Sequence, residues 1–369
     1  MVRRPFAGAC HNAQVTPSAG DDAAFAVPAP RTPIPPGPRP SFSVIVAAWQ
    51  AAETIGVAIR SAVEQTEPPL QIVVCDDGST DDLAGALASF GDAVQLLRIP
   101  HGGESPARNA AAAASHGDFV VILDADDSWH PRRLERIADL AELRPDLDLI
   151  ATDAWFLVAG ERRGTFHDVN EFNTTDQTLE ILRRNFFFAH VAVRRSRWEE
   201  FGGYSPSLTR GQDWDMWLRL LLGGCVAGCV LEPMADYTIH DASLSADRFK
   251  SLMARVEVLD RAEAGHRLSE TQRAALTKAR DGYRRRALAI HAEQLLMSGG
   301  QGRRRASLAL LRAPGGGRRA RVLSAAAVVA PGLAGTRLRR QAAARGGAAG
   351  DRVVGSRTNR GSATNGNDE

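Results

Sequence analysis

Phe119-Val120-Val121-Ile122-Leu123-Asp124-Ala125-Asp126-Asp127 is an unbroken apolar run that ends in a cluster of aspartates. A run of this kind before an acidic turn reads as a strand covered on both faces of a parallel sheet. Open α/β sheets bind ligands in the crevice outside the carboxyl ends of their strands, which is where these aspartates fall. Crowded carboxylates repel one another unless a cation sits among them. A hard cation such as Mg2+ takes one or two carboxylates together with substrate phosphates. The stretch therefore implies a metal site that awaits a phosphorylated ligand.

Gln71-Ile72-Val73-Val74-Cys75-Asp76-Asp77-Gly78-Ser79 repeats the form. Alone it equally describes an Asp-Gly turn whose Ser79 or Thr80 caps the next helix. Two such ends in one alternating chain point to a single nucleotide crevice. Strands are predicted at 42–47, 71–75, 94–99, 119–123 and 148–152, and helices at 53–65, 81–90, 105–116 and 131–144. This alternation predicts βαβ units, hence an α/β fold with a Rossmann-like, mostly parallel sheet flanked by helices. After Phe156 it stops. Residues 160–177 read as a polar loop, followed by a helix at 178–185, a short strand at 190–193 and a strong helix at 213–222.

The ordered set of motifs resembles the family 2 inverting glycosyltransferases of the GT-A fold, from about Ser41 to Ser245. It comprises Ser43-Val44-Ile45-Val46, Asp76-Asp77-Gly78-Ser79-Thr80-Asp81, Gly103-Glu104-Ser105-Pro106-Ala107-Arg108-Asn109 and Leu123-Asp124-Ala125-Asp126-Asp127. Gln212-Asp213-Trp214-Asp215-Met216-Trp217-Leu218-Arg219 and Tyr237-Thr238-Ile239-His240 complete it. The resemblance implies that Asp77 accepts hydrogen bonds from a nucleotide base while Asp76 supports the same loop. The segment from Ala47 to Gln50 would border the nucleoside, although many relatives have proline or threonine followed by tyrosine and asparagine there. Asp124 would lie toward the ribose, and Asp126 would coordinate a Mg2+ or Mn2+ ion that bridges the diphosphate. Asp127 would support the turn, and Arg108 would either reach the nucleotide or pair with a strand-end carboxylate at the surface. Asp213 would be the general base, with Gln212 standing where relatives often carry Glu. Asp215, roughly 200° further round the helix, would face elsewhere. His240 would bind metal or diphosphate, and Trp214 would touch the acceptor.

The implied reaction needs little covalent chemistry from the protein. An acceptor hydroxyl attacks the anomeric carbon, a nucleoside diphosphate leaves, and a positioned carboxylate takes the proton. The expected ligands are a nucleotide-sugar donor, with UDP as the default, and a glycan, lipid-linked or small-molecule acceptor of cell-surface synthesis. Nucleic acid is not an expected partner. A dinucleotide dehydrogenase fails because the turn from Ala47 to Glu53 lacks the glycine pattern that brings backbone against pyrophosphate. A nucleotidyltransferase would want a glycine-rich basic loop there. The remaining alternative is an inactive relative that binds glycan or nucleotide as a scaffold. Every carboxylate the chemistry needs is present, which argues against decay.

The 369 residues carry a net charge of +2, which hides an asymmetry. Beyond residue 298 stand fourteen arginines against Asp351, Asp368 and Glu369. The chain thus divides into a Pro/Ala-rich leader at 1–40, expected to be disordered, a catalytic domain at 41–250, a helical extension at 251–298 and a basic tail at 299–369. The tail, largely disordered in expectation, contains an apolar island at 322–335. A short apolar element with arginine flanks can lie in a membrane interface, so the tail of this otherwise cytoplasmic protein reads either as an inert, solvated segment or as a peripheral contact with the inner face of the plasma membrane. The leader lacks the apolar run of a signal peptide, and no stretch is long enough to span a bilayer. Cys10, Cys75, Cys225 and Cys229 fit no zinc or redox spacing and read as small buried hydrophobes in a reducing compartment.

Overall fold

The computed structural model describes residues 25–30, 33–239, 247–298, 307, 308, 311 and 318–329. In chain order the elements are β1 (Phe25–Ala26), β2 (Phe42–Ala48), α1 (Ile55–Val63), β3 (Gln71–Asp76), α2 (Leu83–Leu87), β4 (Val94–Arg98), α3 (Glu104–Ala113), β5 (Phe119–Ile122), β6 (Ser128–Trp129) and α4 (Arg133–Leu143). There follow β7 (Leu149–Val158), β8 (Glu161–Thr165), α5 (Phe166–Val169), α6 (Gln177–Ile181), β9 (Ala192–Arg194), α7 (Arg195–Glu200), α8 (Gln212–Leu222) and β10 (Ala227–Ile239). The helices α9 (Arg248–Gly265), α10 (Glu270–Ser298) and α11 (Arg318–Val329) close the set.

The sheet runs β4-β3-β2-β5-β9-β7-β10-β1, with β6 on β10 and β8 on β7. From β4 to β5 every pairing is parallel. β9 then runs antiparallel to both neighbours and joins this half to the parallel pair β7 and β10. The mostly parallel, helix-flanked sheet is therefore present, with β9 as its seam. Apolar residues of β2, β3 and β5 are buried on both faces, as their unbroken runs require. One core packs Val44, Val46 and Val121 against α1 and α4, and the other packs Ile45, Val73 and Ile122 against α3 and α8. The helical extension is attached to the second face, where α9 packs on α8 and α10 on α9.

Three expectations are corrected. Part of the supposed leader is built into the domain: β1 pairs with Val230 and Cys229 of β10. Gly37 N–H donates to Glu142 O at 2.8 Å, and Arg39 pairs with Glu67 at 2.8 Å and Asp139 at 3.1 Å. The exposed edge of a long strand binds such a segment because its backbone groups otherwise lack partners. The polar loop at 160–177 contains β8 and α5, the latter closed by a capping box between Thr165 and Asp168. Its arginines had disguised a strand that faces outward. Finally, 322–329 of the apolar island lie in α11; the remainder of the island and of the tail, and leader residues 1–24, 31 and 32, lie outside the described residues. Cys75, Cys225 and Cys229 are buried free thiols, as expected; Cys10 lies outside the described residues.

Candidate functional site

The first wall of the crevice is made of the turns that end β2 and β3. Asp76 Oδ1 accepts from the Ser79 amide at 2.7 Å, so it supports its own loop. Both oxygens of Asp77 point across the crevice, Oδ1 accepting from Gly102 N–H and Oδ2 from Gly103 N–H, each at 2.8 Å. Gly78 sits between them with φ +70, and a Cβ there would meet the His101 nitrogen at 2.8 Å. This is a glycine the turn requires. The two turns are sewn together by Gln50, a non-glycine residue at φ 51. Its side-chain oxygen accepts from Thr80 N–H at 2.9 Å and Asp81 N–H at 3.1 Å, which offsets the cost of the left-handed backbone. Ala47 lies half-buried at the end of β2 opposite Cys75. Above this turn Trp49, 56% exposed, stacks on His101 with ring centroids 4.9 Å apart. An exposed aromatic shelf beside a buried aspartate is a surface on which a base can lie.

The second wall is the turn after β5. Asp126 is exposed at the apex of the turn, while Asp127 is buried and accepts from Thr238 N–H at 2.8 Å, as a turn-supporting residue should. Burial, opposed by nearby His190, pushes the Asp127 carboxyl up to about 6. Asp124, Asp127 and His190 lie close enough to surround a cation. The indole N–H of Trp129 lies 3.1 Å from His190 Nδ1. An indole nitrogen can only donate, so Nδ1 accepts and the ring proton resides on Nε2. That nitrogen faces Asp127 Oδ2 at 3.1 Å and Asp124 Oδ2 at 3.5 Å. The Asp124 amide also approaches Nε2, at 3.2 Å, but a ring accepting at both nitrogens would carry no proton. His190 therefore orients the carboxylates and has no lone pair to give a metal. Carboxylate oxygens such as those of Asp124 and Asp126 are the hard ligand type that could hold Mg2+ or Mn2+. His240, the other expected ligand, lies outside the described residues.

The Ala107-Arg108-Asn109 motif ties these walls to helix α8. Arg108 is neither a surface arginine nor aimed into open crevice: it is 1% exposed, beneath three carboxylates. Its Nη2 meets Glu104 Oε1 and Asp124 Oδ1, both at 2.5 Å, and its Nη1 donates to Asp213 Oδ1 at 2.8 Å. Its guanidinium carbon also lies 4.9 Å over the Tyr204 ring. Burial works against ionisation of Asp124, but the Arg108 charge and the His190 contact outweigh it and hold this carboxyl well below the usual range. Burial likewise raises Tyr204, helped by the Asp213 charge, so its phenol stays protonated and donates to Asp213 Oδ1 at 2.8 Å. Asn109 fixes that tyrosine by a pair of bonds, Nδ2 to Tyr204 O at 2.8 Å and Tyr204 N–H to Oδ1 at 2.9 Å. Burial, opposed by Arg108, pushes the Glu104 carboxyl up to about 7.

Helix α8 is preceded by Gly211, in a left-handed conformation with φ +72 and no side-chain cap. Asp213 therefore stands in the first turn, where the helix dipole favours an anion. Asp215 faces away, paired with Arg219 at 3.0 Å. Trp214 does not meet an acceptor: it is 3% exposed, gives its N–H to Ile181 O at 2.8 Å and packs on Tyr283. At helical spacing it joined the core. The residues not singled out from sequence are His190, Glu104 and Tyr204 as a hydrogen-bond donor. A histidine two residues beyond the aromatic run Phe186-Phe187-Phe188 was the one available signal.

Residues 43–201 match the family model described as "Glycosyl transferase family 2". The chain is 28% identical over 279 residues to the succinoglycan biosynthesis protein ExoU of Rhizobium meliloti (strain 1021), covering 70% of this chain and 80% of that protein. It is 26% identical to the Escherichia coli UDP-Glc:alpha-D-GlcNAc-diphosphoundecaprenol beta-1,3-glucosyltransferase WfaP, over 59% and 84% of the two chains. Its fold is shared with residues 1–349 of S. aureus TarS in complex with UDP-GlcNAc (TM-score 0.56, 15% identity, 82% and 92% coverage). It is shared equally with the mannosyltransferase PcManGT of Pyrobaculum calidifontis, solved with GDP-Man and Mn2+ (TM-score 0.52, 20% identity, 83% and 90% coverage).

Proposed function

We propose that this chain, a family 2 glycosyltransferase of the GT-A fold, moves a sugar with inversion from a nucleotide-sugar donor to an acceptor hydroxyl in cell-surface glycan synthesis. The observation that carries this reading is the single buried guanidinium of Arg108, which holds Asp124 and Asp213 at 2.5 and 2.8 Å. One cation thereby fixes the spacing between the carboxylate at the donor end of β5 and the carboxylate on the acceptor-side helix.

The base would lie on the Trp49–His101 shelf beside Asp77, and the diphosphate would extend toward the turn at Asp126. Asp126 and Asp124 would hold a divalent cation there, whose chemistry is to neutralise charge on the leaving diphosphate as a Lewis acid. The acceptor hydroxyl attacks the anomeric carbon from the side of α8. Its proton passes to Asp213, whose Oδ1 is anchored by Arg108 and Tyr204, leaving Oδ2 for the acceptor. A base on the face opposite the leaving group implies a single displacement, hence inversion.

ExoU and WfaP are named for polysaccharide synthesis and for a lipid-diphosphate acceptor, which supports a glycan or lipid-linked acceptor. Among the described residues no helix is long and apolar enough to cross a membrane. Contact with an anionic surface would come through α11, whose Val322 and Val329, one above the other on the helix, are 60% and 82% exposed. The test of the main reading is release of UDP, dTDP or GDP from their sugars with Mn2+ or Mg2+. Metal-dependent release from at least one donor is expected. Binding of donor without any release would favour the scaffold alternative.

A further inference from the structure

Glu104 is used by nothing in the reading above, yet it touches both neighbours of the base. Its Oε1 meets Arg108 Nη2 at 2.5 Å, and its Oε2 accepts from the side-chain amide of Gln212, the residue before Asp213. Gln212 is 4% exposed, and its own Oε1 is buried with no partner. Without Glu104 the Gln212 side chain would have no partner at either end, at the point where α8 begins without a side-chain cap. The fork of Arg108 would lose a constraint as well. Glu104 and Asp124 together occupy Nη2, which turns Nη1 toward Asp213. The guanidinium is sealed beneath while the three carboxylates keep open faces, their side chains 32%, 23% and 28% exposed for Glu104, Asp124 and Asp213. A group in this position can set the aim of the base without touching the donor.

We propose that Glu104 is a positioning residue for Asp213, acting through Arg108 and through the Glu104–Gln212 bond at the first turn of α8. The inference rests on Asp213 being the general base. The Glu104–Gln212 contact joins a carboxylate to an amide of the same size, so the two halves can be exchanged. Moving the charge from α3 to α8 keeps one carboxylate and one amide in the same place, and the bond between them survives with its polarity reversed.

The experiment compares wild type, Glu104→Gln, Gln212→Glu and the exchanged double variant. UDP release from UDP-glucose and UDP-GlcNAc, and GDP release from GDP-mannose, would be measured with Mn2+ and water as acceptor, beside UDP affinity by calorimetry. Glu104→Gln should lower kcat by about 10- to 100-fold, the scale of a misaimed general base, with UDP affinity within about twofold of wild type. Gln212→Glu, which crowds two carboxylates, should also lose turnover, and the double variant should recover to within about fivefold of wild type. Wild-type turnover in Glu104→Gln overturns the proposal, as does a loss confined to UDP affinity. A double variant no better than Glu104→Gln overturns it too, because a residue that mattered only for packing would not be rescued by moving the charge. If Asp213→Asn releases nucleoside diphosphate at the wild-type rate, the assignment of the base itself fails, and this inference with it. A wild-type chain that releases none from any donor overturns both readings at the first step.

Discussion

The donor-side half of the crevice and the acceptor-side half are built by different means. On the donor side Asp76 and Asp77 spend their oxygens on backbone amides of nearby turns, at Ser79, Gly102 and Gly103. The wall is made by backbone, and each piece is a short sequence word. On the acceptor side the geometry depends on side chains that meet across long separations: Arg108 with Asp213 and Glu104 with Gln212. Backbone turns give a rigid place to bind, whereas a network around one buried cation gives an adjustable place to react. The comparison implies that damage to the first half should appear in donor affinity and damage to the second in turnover.

Asp126→Ala is expected to have the largest effect, because it removes the residue proposed to hold a cation at the donor end. Transfer should fall by several kcal/mol of transition-state stabilisation, on the order of 10³-fold, and Mn2+-dependent UDP binding should vanish with it. Activity within a factor of a few of wild type would remove Asp126 from the metal site. Arg108→Met comes next. It strips the buried cation from three carboxylates, and their open faces put the cost toward the low end of about 3–5 kcal/mol, read by urea unfolding. An unchanged unfolding midpoint would mean that the halves are joined by packing alone. Trp49→Ala tests the shelf on the donor side, where loss of one stacking ring should weaken UDP binding by about 0.5–1.5 kcal/mol without lowering kcat. A fall in kcat instead would place Trp49 with the acceptor. Smallest is the effect of replacing Val322 and Val329 by serine, which should leave UDP release untouched and reduce flotation with anionic vesicles at low salt. Equal flotation of both proteins would leave α11 without a membrane role.

What could be read from sequence follows the same division. The parallel half of the sheet, its helices and the role of Asp76 in its turn were legible because apolar runs and Asp-Gly turns are local signals. The ends of the predicted strands fell within a residue or two, except for β7, which continues to Val158, while β6 and the long β10 were given no span. β8 was missed because its outward-facing arginines carry no alternation, and β1 because a two-residue edge strand has no period at all. Trp214 illustrates the limit for site residues. Its place on α8 was correct, but only the packing of α6 and α10 decides that its ring points into the core. His190 and Glu104 were invisible as site residues for the converse reason. Glu104 does stand four residues before its partner Arg108, but it meets Gln212 108 positions away and His190 meets Asp127 63 positions away, and no pattern along the chain records those meetings.

The claim that binding and chemistry are divided between the halves is tested most directly in Asp213→Asn, by measuring UDP affinity and donor turnover on the same preparation with Mn2+. The asparagine keeps the size of the side chain and can still accept from Arg108 and Tyr204, but it cannot take a proton. The account predicts UDP affinity within about twofold of wild type and turnover reduced by roughly 10²- to 10⁴-fold. Near-normal turnover at saturating donor, with affinity lost, would contradict it and move Asp213 into the nucleotide site.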